Sequence, residues 1–430
     1  MLERAFQLGL HQTSVKKECL AGVTTFLAMA YILFVNPSIL AQTGMDKGAI
    51  FTATCLAAAF SSLLMGLLAN YPIALAPGIA LSTYFTYGVV LGAHHSWQVA
   101  LGAVFISGTV FLLLSILPLR EYIINSIPKS MKMAIVAGIG LFLGVIGFKN
   151  AGILVMDKAT LTVGSLMAPT TLLAMVGFFL IVVLDRLRIA GCIFMSILII
   201  TIVGTLLGYH SFHGVFSFPP SLLLTLFQMD IQGAFSLGLA TIVFAFLCVD
   251  LFDNTGTLLA VAHQAGLLDK EGRLPRLGRA LIADSAAALV SATLGTSTTT
   301  SYLESAVGVK MGGRTGLVAV TVALLFLLAL WMAPLADAVP LYATAPAIVY
   351  VACLMTRAFA DIHWKDPSDY APALITAVAM PVTFSIAQGI SIGFIAYVVI
   401  KVIWRRWRDL SPAMVVLAGL FIAQDIFLHI

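Results

Sequence analysis

The sequence predicts an all-α polytopic membrane protein with fourteen transmembrane segments, arranged as two inverted repeats of seven. The first observation is composition: 60% of the 430 residues are hydrophobic and 10% are charged, whereas soluble domains carry roughly 25% charged residues. The second is a series of apolar runs, each close to the length of about 20 residues that crosses a bilayer. The third is the uneven distribution of basic residues between those runs.

Twelve apolar runs are uninterrupted and have the length of a crossing. They lie near residues 20–40, 49–69, 97–117, 131–148, 170–185, 190–209, 235–262, 281–295, 315–335, 341–356, 371–386 and 388–404. A final apolar stretch, 411–430, is expected to form a C-terminal helix. The first run is not followed by a small-residue cleavage site, so we expect it to be an uncleaved anchor.

Two more segments are apolar but interrupted. Segment 71–91 contains Pro72 and Pro77, and segment 296–312 begins with six threonine and serine residues. If both cross and the N-terminus is cytoplasmic, 20 of the 23 basic residues fall inside and three outside. Omitting either segment would invert every later loop and remove this asymmetry. Both are therefore predicted to span the membrane.

The interrupted segments are the third and the tenth crossings, seven apart. Because seven is odd, the two halves have opposite topology, which is the inverted repeat of many secondary transporters. Irregular backbone at membrane depth is tolerated only where it is buried in protein or lines a cavity. The hydroxyl-rich run suits an extended strand, and a half-helix beginning near Tyr302 would aim its N–H groups at the same spot. Together the two segments predict a polar binding site.

Acidic residues inside the crossings are the main candidates for chemistry. Asp250 and Asp253 lie three residues apart in the eighth crossing, on one helix face. Glu304 follows the polar run in the tenth crossing. Ionisable groups cost at least about 2.5–3.5 kcal/mol at the bilayer centre, so they face the bundle interior and mark solute or proton pathways. The alternative is that these acids have a structural role within the helix bundle. This alternative applies most to Asp250 and to Asp284 in the ninth crossing.

Other kinds of chemistry have no counterpart in the sequence. It contains no phosphate-binding glycine loop, nucleophile triad or metal-ligand cluster, so we predict no enzymatic activity, cofactor, metal or nucleic-acid partner. The five cysteines form no CxxC pair, which indicates neither a disulfide nor a metal site. The glycines of segment 137–147 are expected to allow close helix packing.

Six sequence blocks carry a resemblance to a known family. They are GVTTFLAMAYILFVNP at 22–37, ALAPG at 74–78, VDLFDNTGT at 249–257, GTSTTTSYLES at 295–305, GGRTG at 312–316 and MPVTFSIAQG at 380–389. With these blocks the chain resembles, over nearly its whole length, the AzgA-like adenine, guanine and hypoxanthine permeases. These belong to the nucleobase–cation symporter-2 class of xanthine and uracil permeases.

The resemblance implies an architecture as well as a function. It implies a core domain of residues 1–118 and 235–335 and a gate domain of residues 119–234 and 336–430, the latter with the C-terminal helix. Short strands and half-helices are implied in crossings three and ten, together with a homodimer and an elevator-type motion. We expect a multi-pass protein in the lipid of the cell inner membrane, with both termini in the cytoplasm.

The resemblance also implies the substrate-binding residues. The acids of the family match Asp253 and Glu304, with Asp250 and Thr257 close by. This group commonly has Gly-Leu-Asn where this chain has Ala80-Leu81-Ser82, which bears on the choice of purine because a serine hydroxyl reaches less far than an amide. The predicted substrate site consists of Ser82, Thr83, Asp250, Phe252, Asp253, Thr257, Thr300, Ser301, Tyr302 and Glu304.

The predicted function is import of a purine nucleobase by proton symport. Ring N–H groups of the base would donate to Glu304 and Asp253, whose protonation would couple transport to a proton gradient. Backbone N–H groups around residues 82–83 and 300–302 would bind the acceptors of the base, and an aromatic side chain would stack on it. The alternatives are a passive nucleobase channel, an anion carrier of the same architecture, and an intramembrane enzyme, which would need a nucleophile or metal site.

Overall fold

The computed structural model describes residues 3, 6–116, 127–157, 160–212, 214–235, 240–267 and 274–428. Most of this part of the chain is helical, and nine helical stretches within it are long and apolar enough to cross a membrane. They are Val15–Thr43, Lys47–Ala69, Trp97–Ile116, Lys129–Asn150, Pro169–Arg186, Leu277–Leu294, Leu317–Asp337, Leu341–Asp361 and Ile386–Ile403. The chain is therefore a multi-pass membrane protein.

The elements follow one another in a fixed order. In the first half they are α1 Val15–Met29, α2 Ile32–Leu40, α3 Lys47–Leu64, β1 Leu75–Pro77, α4 Ile79–Thr83, α5 Trp97–Ile116, α6 Lys129–Asn150, β2 Leu154–Asp157, β3 Thr160–Val163, α7 Pro169–Arg186 and α8 Cys192–Leu206. In the second half they are α9 Ile231–Ala234, α10 Ala240–Gln264, α11 Leu277–Leu294, β4 Thr299–Ser301, α12 Ser305–Lys310, α13 Leu317–Ala329, α14 Ala333–Asp337, α15 Leu341–Met355, α16 Pro367–Thr383, α17 Ile386–Ile403 and α18 Pro412–Leu428.

Within the described residues, each of the twelve uninterrupted apolar runs contains a helix, and the two interrupted segments contain strands. The run at 20–40 is divided between α1 and α2, which are separated by Ala30 and Tyr31. The helix α12, which corresponds to the half-helix predicted to begin near Tyr302, begins at Ser305 instead. Two π-helical turns, Met65–Ala69 and Tyr84–Val90, extend α3 and α4.

Close packing of small residues holds the helices together. The helix α6 contacts α15, α16 and α17, and a Cβ at Gly138 would lie 2.9 Å from Ala377 Cα on α16. A Cβ at Gly147 would likewise lie 3.1 Å from Val349 N on α15. The prediction that the glycines of this segment allow close approach is confirmed, since no larger side chain fits at these two crossings.

Clusters of hydrogen-bonded polar residues stabilise the ends of α1 and α17. Glu18, fully buried in α1, accepts hydrogen bonds from Arg314 N at 2.9 Å, Thr315 N at 3.1 Å and Thr315 Oγ1 at 2.7 Å. Near the other end of the chain, the buried Lys401 of α17 donates to Asp369 at 2.7 Å and Asp409 at 3.2 Å. These contacts connect segments that are far apart in sequence.

Candidate functional site

The two interrupted segments meet through their strands. The strands β1 and β4 pair in antiparallel fashion, with Leu75 opposite Ser301 and Pro77 opposite Thr299. The pairing continues beyond both ends, because Gly78 N donates to Thr298 O and Tyr302 N donates to Ala74 O, each at 3.0 Å. Pro72 and Pro77 have no N–H group and prevent a continuous helix here, while β-branched threonines favour extended backbone. The short sheet is buried throughout.

The chain reaches this sheet through a tight turn. Gly295 ends α11 with a φ of +92°, a conformation that favours glycine. A Cβ at this position would also lie 2.3 Å from Thr225 Cβ. The turn sends Thr296 to Ser301 back into the protein interior as extended chain, where each of these six residues is buried.

Glu304 lies directly before α12 and contacts the break in the first crossing. Its Oε1 accepts a hydrogen bond of 2.6 Å from the hydroxyl of Tyr31, which is 2% exposed. Tyr31 occupies the interruption between α1 and α2, and its ring centroid lies 6.4 Å from that of Tyr302. The Tyr302 hydroxyl donates to Pro77 O at 2.7 Å. The carboxyl group of Glu304 thus lies where the break between α1 and α2 meets the segments that carry β1 and β4.

The helix α10 completes the site from the other side. It contacts β4, α4 and α12, and Asn254 Oδ1 accepts a hydrogen bond of 2.9 Å from Ser301 N. Asp250, which is 3% exposed, lies one turn earlier on the same helix face, about 6 Å along the axis. The side chains of Phe252 and Asp253, both predicted site residues, lie outside the described residues, although α10 includes both positions. Thr257 is half-buried further along α10.

A network of small polar side chains supports the start of β4. Asn36 in α2 donates from Nδ2 to Thr54 Oγ1 at 2.8 Å and to Thr296 Oγ1 at 2.9 Å. Its Oδ1 accepts a hydrogen bond of 2.5 Å from Ser82 Oγ, which also lies 2.6 Å from Ser297 Oγ. The amide of Asn36 is therefore fully engaged by protein groups. Its role is to hold four segments together.

The predicted backbone contacts to a ligand need correction. The N–H groups of Ser82, Ser301 and Tyr302 donate to Gly78 O, Asn254 Oδ1 and Ala74 O. Thr300 pairs with Ala76 within the sheet. The prediction that these N–H groups bind the solute is wrong for Ser82, Ser301 and Tyr302, because buried backbone donors are satisfied within the fold. The Ser82 hydroxyl, also predicted to bind solute, contacts Asn36, Ser297 and Gly78 O.

Other polar atoms of the site have no such partners. Within the part of the chain that the structure describes, Thr83 Oγ1, Ser301 Oγ and Asn254 Nδ2 are buried and make no hydrogen bond. Buried polar groups are nearly always paired, so each unpaired one calls for an explanation. The three lie on α4, β4 and α10, elements that surround the junction of the broken crossings. They are therefore candidates for hydrogen bonds to a polar ligand.

Three residues of the site were missed from sequence. Tyr31, Asn36 and Asn254 contact Glu304, Ser82 and the Ser301 backbone. A signal was present for two of them, since an asparagine within an apolar crossing is costly unless it has a partner. Tyr31 carried no such signal, because a tyrosine in an apolar run is ordinary in composition.

Comparison with known proteins gives a consistent result. The sequence pattern of the permease family that comprises the xanthine and uracil permeases matches residues 16–392. The chain is 50% identical to the putative permease MJ0326 of Methanocaldococcus jannaschii, over 99% of this chain and 98% of that protein. It is 46% identical to the adenine permease AdeP of Escherichia coli K12, over 100% and 96%. It is 41% identical to the guanine/hypoxanthine permease PbuO of Bacillus subtilis 168, over 97% and 99%.

Solved structures show the same fold at lower sequence similarity. The transmembrane domain of the cyanobacterial bicarbonate transporter BicA aligns with a TM-score of 0.64 and 16% identity. The alignment covers 89% of this chain and 97% of that domain. The chain therefore shares the architecture of a group of membrane transporters.

Proposed function

The chain belongs to the xanthine/uracil permease family, and we propose that it is a secondary active transporter that imports a purine nucleobase by proton symport. Adenine, guanine and hypoxanthine are the proposed substrates, since the relatives named for these bases are 46% and 41% identical over nearly their full length. The observation that carries the proposal is the position of Glu304, which lies beside a buried two-stranded sheet formed by the broken crossings.

The chemistry of this junction suits a neutral heterocycle. Carboxyl oxygens accept hydrogen bonds from ring N–H groups, while unpaired hydroxyl and amide groups can bind the ring nitrogens and carbonyl oxygens of a base. Asp253 and Glu304 are the proposed proton-coupling residues. Asp250, Thr83 and Ser301 are proposed to contact the base, and Thr257 and Phe252 to border it.

An anion carrier would use the same architecture with a different site. The segments that form the junction contain acids, and the chain has no lysine or arginine at residues 48–119, 189–269 or 280–309. An anion in this site would meet carboxylates with no basic residue from the same segments to offset them. This charge pattern favours a nucleobase over an anion such as bicarbonate.

The transport cycle is proposed to follow the family pattern. Fourteen crossings in two inverted repeats would form a core domain (1–118 and 235–335) and a gate domain (119–234 and 336–430). The core would slide against the gate in an elevator-type motion, within a homodimer in the inner membrane and with both termini in the cytoplasm. Cross-linking of single cysteines placed on the two domains, with and without adenine, would test the motion.

The central experiment is uptake by purified protein in proteoliposomes. We expect radiolabelled adenine or hypoxanthine to accumulate when an inward proton gradient is imposed, and an uncoupler to abolish accumulation. A competition panel of adenine, guanine, hypoxanthine, xanthine and uracil would define the substrate. Uptake that equilibrates without ever concentrating the base, with or without the gradient, would indicate a channel instead.

Two variants test the assigned acids. Glu304→Gln is expected to abolish proton-driven accumulation, whereas the control Asp337→Asn, at an exposed carboxyl group, should accumulate normally. Accumulation at the wild-type level in Glu304→Gln would remove Glu304 from the mechanism. Likewise, an unchanged affinity for the base in Asp253→Ala would remove Asp253.

A further inference from the structure

Within the proposed site, we infer that Asn254 determines base specificity by donating a hydrogen bond from Nδ2 to an acceptor atom of the nucleobase. The ligand class is an aromatic heterocycle with an unprotonated ring nitrogen or a ring carbonyl oxygen. This inference rests on the proposed function and adds a residue to it that the sequence patterns did not single out.

The orientation of the Asn254 amide is fixed by its neighbour. Ser301 N can only donate, and it lies 2.9 Å from Asn254 Oδ1. The amide oxygen must therefore face β4, since a flipped amide would oppose two donors. The amide nitrogen is consequently held away from the sheet by a contact that does not depend on ligand.

The Nδ2 group is buried but unused. Asn254 is 2% exposed, and Nδ2 has no hydrogen-bond partner within the described portion of the chain. Water at this depth is scarce, and an unsatisfied amide donor in an apolar environment is costly. A group that arrives with the solute and accepts a hydrogen bond would remove that cost, so the donor favours a ligand with an acceptor at the matching position.

A second unpaired polar group belongs to the residue that fixes the Asn254 amide. The hydroxyl of Ser301 is also buried without a partner, on the residue whose N–H holds the Asn254 amide. By contrast, the buried amide of Asn36 uses both its nitrogen and its oxygen within the fold. Asn36, whose amide is fully paired, therefore supports the structure, whereas Asn254 keeps a donor that can bind a ligand.

The donor also complements the acids of the site. Glu304 and Asp250 present oxygen atoms that accept from base N–H groups, and they cannot recognise an acceptor unless they are protonated. Asn254 supplies the missing donor on the face of α10 that meets β4. A base with a donor and an acceptor on its edges would thus satisfy both kinds of group at once, whereas an analogue that lacks the acceptor would not.

The test combines one variant with a panel of analogues. Asn254→Asp keeps an oxygen that accepts from Ser301 N but replaces the donor with a second acceptor. Inhibition constants for adenine, hypoxanthine and their 1-, 3- and 7-deaza analogues, each with one ring nitrogen replaced by C–H, are measured for both proteins in proteoliposome uptake. Wild-type protein that binds none of the bases would contradict the proposed function itself, separately from the role of Asn254.

The expected result is selective. Asn254→Asp should weaken binding of the parent base roughly 10- to 100-fold, as expected when a buried acceptor is left unpaired. The analogue that lacks the contacted nitrogen should bind the wild type weakly and lose nothing further in the variant. An equal loss for every analogue, or no loss for the parent base, would overturn the inference.

A second variant and a second measurement serve as controls for loss of folding. Asn254→Ala has no side-chain donor, and the same selective pattern is expected for it, since the loss of the acceptor for Ser301 N is common to every base. Monodispersity and the thermal unfolding midpoint of each variant are compared with wild type. If Asn254→Asp is not recovered in folded form, the analogue pattern of Asn254→Ala decides, with a uniform loss counting against the inference.

Discussion

The buried amide of Asn36 allows a worked prediction about the framework of the site. In Asn36→Asp, the side chain keeps its shape, but Nδ2 is replaced by an oxygen that faces Thr54 Oγ1 and Thr296 Oγ1, at distances that are 2.8 and 2.9 Å in the wild type. Thr296 can turn its hydroxyl to donate to the new carboxylate. Thr54 cannot, because its hydroxyl proton is already donated to Ile50 O at 2.7 Å.

The magnitude follows from these contacts. One neutral hydrogen bond worth about 0.5–1.5 kcal/mol is lost, and leaving its buried partner unsatisfied costs about 1–3 kcal/mol. A carboxylate at this fully buried position also lacks a cation to offset its charge. We therefore expect Asn36→Asp to lower the free energy of unfolding by roughly 2–4 kcal/mol or more.

The assay is thermal unfolding of the purified protein in detergent, followed by tryptophan fluorescence. The matched control is Asn254→Asp, the same substitution at a buried asparagine whose Nδ2 has no partner among the described residues. Both variants bury a carboxylate, but only Asn36→Asp also loses a hydrogen bond that the fold uses, so Asn254→Asp should unfold at a higher midpoint than Asn36→Asp while losing affinity for the base. If Asn36→Asp were as stable as Asn254→Asp, the distinction between a structural and a ligand-binding asparagine would be refuted.

Three further predictions concern packing and charge away from the site, and each is read from the same unfolding assay. Glu18→Ala leaves three donors without their acceptor, two of them buried, and it should lower the free energy of unfolding by about 3 kcal/mol or more. An unchanged midpoint would refute this. Lys401→Met leaves two partly exposed aspartates facing each other, so a loss of about 1–2 kcal/mol is expected. Added salt should reduce that loss, and insensitivity to salt would argue against charge repulsion. Gly138→Val should cost about 1–3 kcal/mol, because its side chain would overlap Ala377, whereas Gly278→Val, with open space around its Cα, serves as control.

The positions of the long helices could be predicted from the sequence for a physical reason. A bilayer imposes a length and a composition on every crossing, so the helices from Lys47–Leu64 to Ile386–Ile403 follow the apolar runs closely. That the two interrupted segments cross the membrane is a prediction from the charge distribution. Short-range chemistry, namely proline at 72 and 77 and hydroxyl residues at 296–301, indicated that they would not be simple helices.

The polar side-chain contacts of the site could not be predicted in the same way, because they depend on how segments distant in sequence pack together. Nothing local to Tyr31 indicates that its hydroxyl meets a carboxyl group 273 positions later. The backbone donors near Ser301 were expected to face a ligand, yet the strand pairing and Asn254 take them up. Register between two strands of three residues, from different halves of the chain, is set by tertiary contacts rather than by local pattern.

The pairing of β1 with β4 has a consequence for how the protein is made. Pro77 and Thr299 lie opposite each other although 222 positions separate them (299 − 77). During synthesis, the segment that contains β1 is made long before its partner has left the ribosome, and the backbone groups of β1 that pair with β4 are then still unsatisfied. Lipid cannot form hydrogen bonds with exposed backbone N–H and C=O groups. The translocation machinery or neighbouring helices must therefore shield β1 from lipid until β4 is inserted. Chains truncated before residue 299 are thus candidates for rapid quality-control degradation.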